Sequence, residues 1–271
     1  MIPVGIHYNL PPAVYYVREL GVASKSALDK LHKSPAHYRS WVEGVEEEPT
    51  PALVFGSALH CAVLEPSRFG DLYVFQPSDL GDGRTKEGRA KREAFAAEAA
   101  GRTVLTAADG ARLQAMTRRL HVDRVLAELL ADDAWQAEVT ISWEDRETGI
   151  LCKGRVDGLA LTYGVALDLK STEDASPQGF AKSVANFRYH VQAAMYQDGL
   201  KAHGVDVRKF VFAAIEKAPP FEGANYWLDQ AAIDKGREAY QADLRTLADC
   251  IHNDEWPGYT GGELRLPAWA A

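Results

Sequence analysis

The chain has 271 residues, 46% of them hydrophobic and 25% charged, with a formal net charge of −8 at pH 7. No apolar run nears the roughly 20 residues of a membrane span, and no basic stretch followed by an apolar core opens the chain, so neither a membrane segment nor a secretory signal is expected. Cys61, Cys152 and Cys250 are too far apart for a CxxC zinc motif and too few for a four-cysteine iron–sulfur cluster, and they point to a reducing, cytoplasmic setting.

In chain order, Ser24 or Ser26 caps a short helix through His32 that ends near Ser34-Pro35. A second helix runs from Pro51 to Leu64 with an apolar stripe of Phe55, Leu59, Ala62 and Val63. Helical periodicity returns from about Lys86 to Ala100 and from Thr106 to Leu130. The first of these opens on the densest positive run, Arg84-Thr85-Lys86-Glu87-Gly88-Arg89 onward, which is either a solvated helix face or a surface for phosphates. The overall charge gives no hint of a nucleic-acid partner, although a groove can be locally basic.

The middle changes period. Val139, Ile141 and Trp143 alternate with Glu138, Thr140 and Ser142, which predicts a strand with one polar face. A turn at Glu147-Thr148-Gly149 leads to a strand from Ile150 to about Leu161, and a third strand runs from Val165 to Lys170, making an antiparallel meander. A helix from about Pro177 to His203 follows, then strands at 209–216 and near Tyr226-Trp227-Leu228, and a final helix over 231–253. The segment from Trp256 to Trp269 reads as a loop with exposed aromatics. The expected class is α/β, a mixed central sheet flanked by helices, with a mostly helical N-terminal half. A single domain is expected over 1–271, divided at about 1–130, 131–230 and 231–271.

Asp157, Asp168 and Lys170 carry the chemistry. Residues two apart on a strand share a face, and a hairpin brings Asp157 beside Asp168. Two carboxylates about 4 Å apart repel by roughly 4 kcal/mol at an effective dielectric of 20. A site that keeps both ionised calls for a cation, and oxygen ligands suit Mg²⁺ or Mn²⁺. Such an ion holds a phosphate oxygen and activates a water, with Lys170 as the charged neighbour of both. The bland alternative is two unrelated strand-end aspartates, since so short a pattern recurs by accident. Gln192 and Tyr196 share a helix face from which they reach the site to position Lys170 or a substrate, or else make structural hydrogen bonds. His60 is a ligand or a structural histidine, with Gly56 one turn earlier leaving room for an approach. Glu138 is a further ligand or an exposed strand carboxylate.

The set Gly56…His60, Glu138, Asp157, Asp168-Leu169-Lys170 and Gln192…Tyr196 resembles the PD-(D/E)xK nuclease superfamily, in its RecB-like branch with a QxxxY helix. The wording of Gly5-Ile6-His7-Tyr8-Asn9-Leu10, Gly56 to Cys61, Arg84 to Gly88, Asp168 to Ser176 and Tyr189 to Ala194 resembles, more closely, the RecE-like exonucleases (exodeoxyribonuclease VIII nuclease domains). That resemblance implies a nuclease domain standing alone that digests one strand of linear double-stranded DNA from its 5′ end. The 3′ tails then pass to a RecT-type single-strand annealing protein in phage recombination. It implies His60, Asp157 and Asp168 as metal ligands together with the Leu169 carbonyl, Lys170 as the catalytic lysine, Gln192 and Tyr196 as its supports, and a ring-shaped homo-oligomer, a tetramer in RecE. Arg84, Lys86 and Arg89 become candidates for DNA contact. Rival readings are a RecB-like endonuclease or flap nuclease, a DNA-end binding module on a degenerate nuclease fold, and an unrelated Mg²⁺ phosphohydrolase of small molecules.

Overall fold

The period-two residues in the middle of the chain form the centre of a seven-stranded mixed sheet. A computed structural model of the protein describes residues 2–44 and 49–266. Its first part holds β1 (Gly5–His7), α1 (Pro12–Tyr15), β2 (Val22–Ala23), α2 (Lys25–Lys33), α3 (Pro35–Glu43), α4 (Pro51–Leu64), α5 (Phe69–Leu72), β3 (Tyr73–Phe75), α6 (Lys86–Glu98), β4 (Thr103–Leu105), α7 (Ala107–His121) and α8 (Arg124–Leu130). Then come β5 (Trp135–Glu144), β6 (Leu151–Ala160), β7 (Val165–Thr172), α9 (Pro177–Asn186), α10 (Tyr189–Ala202), β8 (Lys209–Glu216), β9 (Gly223–Trp227) and α11 (Gln230–Asn253).

The sheet runs β1-β5-β6-β7-β8-β9, with β2 also on β6, while β3 and β4 pair separately. The expected meander is there: β5, β6 and β7 are antiparallel neighbours. β8 returns parallel to β7 after the helical crossover. The N-terminal half is less purely helical than its periodicity suggests, because Gly5–His7 and Val22–Ala23 are built into this sheet. Two or three residues are too short to show a strand period, so pairing alone makes them strands.

Helices cover both faces. One apolar core joins Val139, Ile141, Val156 and Phe212 to Leu28 of α2, Met195 and Leu200 of α10 and Leu244 of α11. The other joins Leu167, Leu169 and Val211 to Phe55, Leu59 and Val63 of α4 and Leu113 and Met116 of α7. Ser24, Thr50, Thr106 and Ser176 each accept the amide three residues on, so α2, α4, α7 and α9 start at hydroxyl caps.

Two expected helices are divided. The stretch 106–130 breaks at Val122, because Asp123 accepts the Leu126 amide and starts a new helix. The stretch 177–203 breaks at Arg188, whose left-handed backbone (φ 54) ends α9 and opens α10 at another angle. A non-glycine residue there costs about 1–3 kcal/mol. Its guanidinium offsets that by holding Asp29 of α2 at 3.1 Å and Asp243 of α11 at 2.5 Å.

The polar face expected on β5 is not solvated. Thr140 and Ser142 are buried beneath the N-terminal segment, which lays β1 along β5. The tail aromatics also differ from expectation in part: Trp256 stacks on Tyr38 at 5.6 Å, while Tyr259 is exposed. Trp269 lies outside the described residues.

Two glycines test this packing in opposite directions. A Cβ on Gly236 of α11 would stand 2.2 Å from the His190 carbonyl oxygen of α10, whereas one on Gly56 of α4 would meet nothing within 4 Å. Gly236→Ala is expected to lower unfolding stability by about 1–3 kcal/mol. Gly56→Ala is expected to leave it unchanged or raise it by up to about 1 kcal/mol. Urea denaturation midpoints check both.

Candidate active site

The β6–β7 ladder runs from Ala160↔Val165 to Gly158↔Leu167 and goes no further. Beyond it the strands fork, and Asp157 and Asp168 stand on either side of the opening. The Leu169 amide donates to Asp157 Oδ2 at 2.8 Å, so a carboxylate takes the place a strand carbonyl would fill.

At the same level the faces of β5 and β6 exchange. Val139, Ile141 and Trp143 point into one core, yet Trp135 and Ala137, of the same parity, pack against the other. The switch falls at Glu138, which has φ 52 inside a strand. Opposite it, Val156 belongs to the first core and Ala160 to the second, so β6 makes the same exchange around Asp157. Period-two reading assumes one constant face and misses this. The exchange falls where Glu138 and Asp157 stand opposite each other, and their carboxylates meet at the fork.

His60, on the α4 turn above the second core, completes the group: ligand atoms of His60, Glu138 and Asp157 all lie within 4.8 Å of one another. His60 Nδ1 is 3.3 Å from Asp157 Oδ2. Asp168 is not a member of that trio. It is 1% exposed, and from the opposite helical layer Gln192 Nε2 donates to its Oδ1 at 2.5 Å. Asp168 Oδ2 is buried without a hydrogen bond of ordinary geometry, although Lys170 Nζ lies 2.6 Å away as an ion pair. The Lys170 ammonium also stands 4.7 Å from the centre of the Tyr189 ring.

The electrostatics follow from burial. Desolvation, then the Asp157 charge, pushes the Glu138 carboxyl well above the usual range, with Arg155 opposing. Asp168 is raised by burial and by Asp157, with Lys170 pulling the other way. Burial opposes the charge on Lys170, but Asp168 and Asp157 outweigh it and keep the ammonium protonated. Three carboxylates, one of them with an unsatisfied oxygen, and an imidazole around one opening therefore suit a divalent cation with oxygen and nitrogen ligands. Such an ion would relieve repulsion that Lys170 and Arg155 offset only in part.

Tyr196 takes a different place from the one its helix face suggests. It is buried over Gly154, where a Cβ would come within 2.7 Å of its ring, and Tyr15 and the Arg155 backbone are its polar neighbours. It props β6 and touches neither Lys170 nor any open surface. Gln192 likewise steadies Asp168, not Lys170. Arg84 is exposed and gripped by Asp82, with its Nη2 2.9 Å from Asp82 Oδ2; Lys86 and Arg89 lie on the exposed first turn of α6.

Two residues were not singled out from sequence. Arg155, 8% exposed, lies 3.9 Å from Glu138 Oε2 and donates to Thr140 Oγ1 at 3.0 Å. Tyr189 precedes Gln192 by three, the spacing that puts both on one helix face. Arg155 precedes Asp157 by two, a strand spacing that would have shown it.

The family described as a PDDEXK-like domain of unknown function (DUF3799) matches residues 24–263. The chain belongs to that PDDEXK-like family. Among solved structures, a protein of Eubacterium rectale named as a candidate exonuclease is similar with a TM-score of 0.62 and 16% identity, covering 96% of each chain. A phage-related exonuclease of Haemophilus somnus 129PT gives a TM-score of 0.34 at 14% identity, covering 84% of this chain and 95% of that one. No curated protein matches the chain. No helix among the described residues is long and apolar enough to cross a membrane.

For a PDDEXK-like notch of this charge, ion binding should register in stability. At a free Mn²⁺ or Mg²⁺ concentration 100 times its Kd, the ion is expected to add about 2.7 kcal/mol. Asp157→Ala should abolish that gain, and thermal midpoints with and without chelator measure it. An equal rise in both proteins would count against binding at Asp157.

Proposed function

We propose that this PDDEXK-like chain is a divalent-metal-dependent exodeoxyribonuclease that degrades linear double-stranded DNA. The observation that carries the reading is the convergence, at one fork in the sheet, of His60, Glu138 and Asp157 with the buried Asp168–Lys170 pair. Phosphodiester hydrolysis needs negative charge gathered at a cation and positive charge ready for the phosphate, and both are present here.

His60, Asp157 and Asp168, with the Leu169 carbonyl and Glu138, would hold Mg²⁺ or Mn²⁺. The ion supplies Lewis-acid polarisation of a phosphate oxygen and acidifies a water. Lys170, kept cationic by the two aspartates, meets the charge that grows on the phosphate in the transition state. Gln192 steadies the Asp168 carboxylate through Oδ1, which keeps Oδ2 toward Lys170. Arg155 holds Glu138 on its strand side.

The finer reading is 5′ to 3′ digestion leaving 3′ tails, a RecT-type annealing partner in recombination, and a homo-oligomeric ring around the duplex. The RecE-like wording of the chain supports it; the name carried by the similar Eubacterium rectale protein supports exonuclease action alone. A ring would account for processivity through closed cyclic symmetry, because a topological link survives the loss of single phosphate contacts.

End-labelled linear duplex, given Mg²⁺ or chelator, tests the proposal. The expected result is metal-dependent release of the 5′ label first, and no cutting of covalently closed circles. Asp168→Asn and Lys170→Met should each lower kcat at least 100-fold while circular dichroism stays that of the parent. Metal-dependent cutting of the circle would instead make the chain an endonuclease, and undiminished hydrolysis by folded Asp168→Asn would remove that residue from the mechanism.

For the surface run, replacing Lys86 and Arg89 together is expected to weaken DNA binding and to lower the slope of log K against log salt by about 2. An unchanged slope would make them a solvated helix face.

A further inference from the structure

We propose that Tyr16 is a stacking platform for an unpaired nucleobase of the substrate strand, held at the lip of the carboxylate cluster. The nature of the strand rests on the nuclease reading above; the platform itself rests on separate geometry.

Residues 4–20 carry Val4, Tyr8, Val14, Tyr16, Val17 and Leu20 as exposed apolar side chains, and Tyr16, at 62% exposure, is the most open of them. A floppy segment would need no explanation, but this backbone is pinned. Lys153 Nζ donates to the carbonyls of Tyr15 and Val17 at 2.7 Å each, on either side of Tyr16. Arg155 Nη2 donates to the Leu10 carbonyl at 2.8 Å. Both cations are less than a tenth exposed. Burying such charges is costly unless they are hydrogen-bonded, and here both Lys153 bonds and one of the Arg155 bonds go to the backbone of this one segment.

The pins come from β6, two and four residues before Asp157. The position of Tyr16 is thus tied to the strand that carries the candidate metal ligand. The Arg155 guanidinium lies 4.5 Å from the Tyr15 ring centre and 5.9 Å from that of Tyr16, while its other side faces Glu138 at 3.9 Å. Tyr15 meets Tyr16 edge-on, with centroids 5.0 Å apart, and this contact supports the Tyr16 ring without covering both its faces.

A rigid, neutral, open aromatic beside a phosphate-binding notch suits a base whose own backbone lies in that notch. Stacking serves any base, because every base has a π face, so the platform adds affinity without sequence preference. A base still paired inside the duplex offers no free face. The platform therefore favours a strand already unpaired next to the scissile phosphate, such as a frayed or tailed end.

The test uses the whole protein and single-stranded oligonucleotides carrying 2-aminopurine near the 5′ end, in chelator so that nothing is cut. Wild type should bind with a fluorescence change. Tyr16→Ala should bind about tenfold more weakly and lose that change, Tyr16→Trp should restore both, and Tyr163→Ala, at another exposed tyrosine, in the β6–β7 turn, should behave as wild type. Equal binding and equal fluorescence for Tyr16→Ala, or no binding by wild type, overturns the platform. A parallel digestion with Mg²⁺ or Mn²⁺ separates the two readings. Hydrolysis in which Tyr16→Ala matches wild type on both frayed and blunt ends removes the platform and leaves the nuclease. Tyr16-dependent binding without hydrolysis keeps the platform and removes the nuclease.

Discussion

The structure around the site depends on mutual repulsion among carboxylates that share a small buried opening. Glu138 and Asp157 are held together by their strands, and Asp168 is almost fully enclosed between Gln192 and Lys170. Two carboxylate charges about 4 Å apart repel by roughly 4 kcal/mol at an effective dielectric of 20. No packing preference would assemble such a notch. It persists because the surrounding sheet and helices determine the positions of its members many times over, which is how strained functional sites survive.

Two backbone departures do most of that positioning. Glu138, left-handed within a strand, exchanges the faces of β5 and aims its carboxylate into the fork. Arg188, left-handed between helices, redirects the chain so that Tyr189 covers Lys170 and Gln192 reaches Asp168. The second is secured at a distance, by Asp29 and Asp243 on two other helices. Because β6 and β7 part at the fork, each helical layer can send a side chain to the same opening: His60 from one, Gln192 from the other.

The net charge of −8 conceals where the cations lie. Lys153, Arg155 and Lys170 face inward around β6 and β7, where each is committed to carbonyls, carboxylates or an aromatic face. Positive charge in the places that would meet a strand is therefore a local property, and the surface balance contributes little to it. The buried pair Lys153 and Arg155 also explains why the N-terminal segment lies across β5 and β6 at all.

Much was legible in the sequence because it depends on neighbours along the chain. A serine cap placed the start of α2, helical periodicity placed α4 from Pro51, alternation placed β5 to β7, and strand and helix periods put Asp168 with Lys170 and Gln192 with Tyr196 on common faces. The resemblance groups His60 with Asp157, and the two side chains meet in the fold. Tertiary structure decided the rest. The face exchange at Glu138, the break at Arg188, the burial of Thr140 and Ser142 under residues far away in the chain, and the retreat of Tyr196 into a prop all arise from contacts between segments separated by tens to more than a hundred residues. Local pattern records which way a residue points only while its backbone stays regular, and at this fork the regularity is what the fold gives up to bring the charges together.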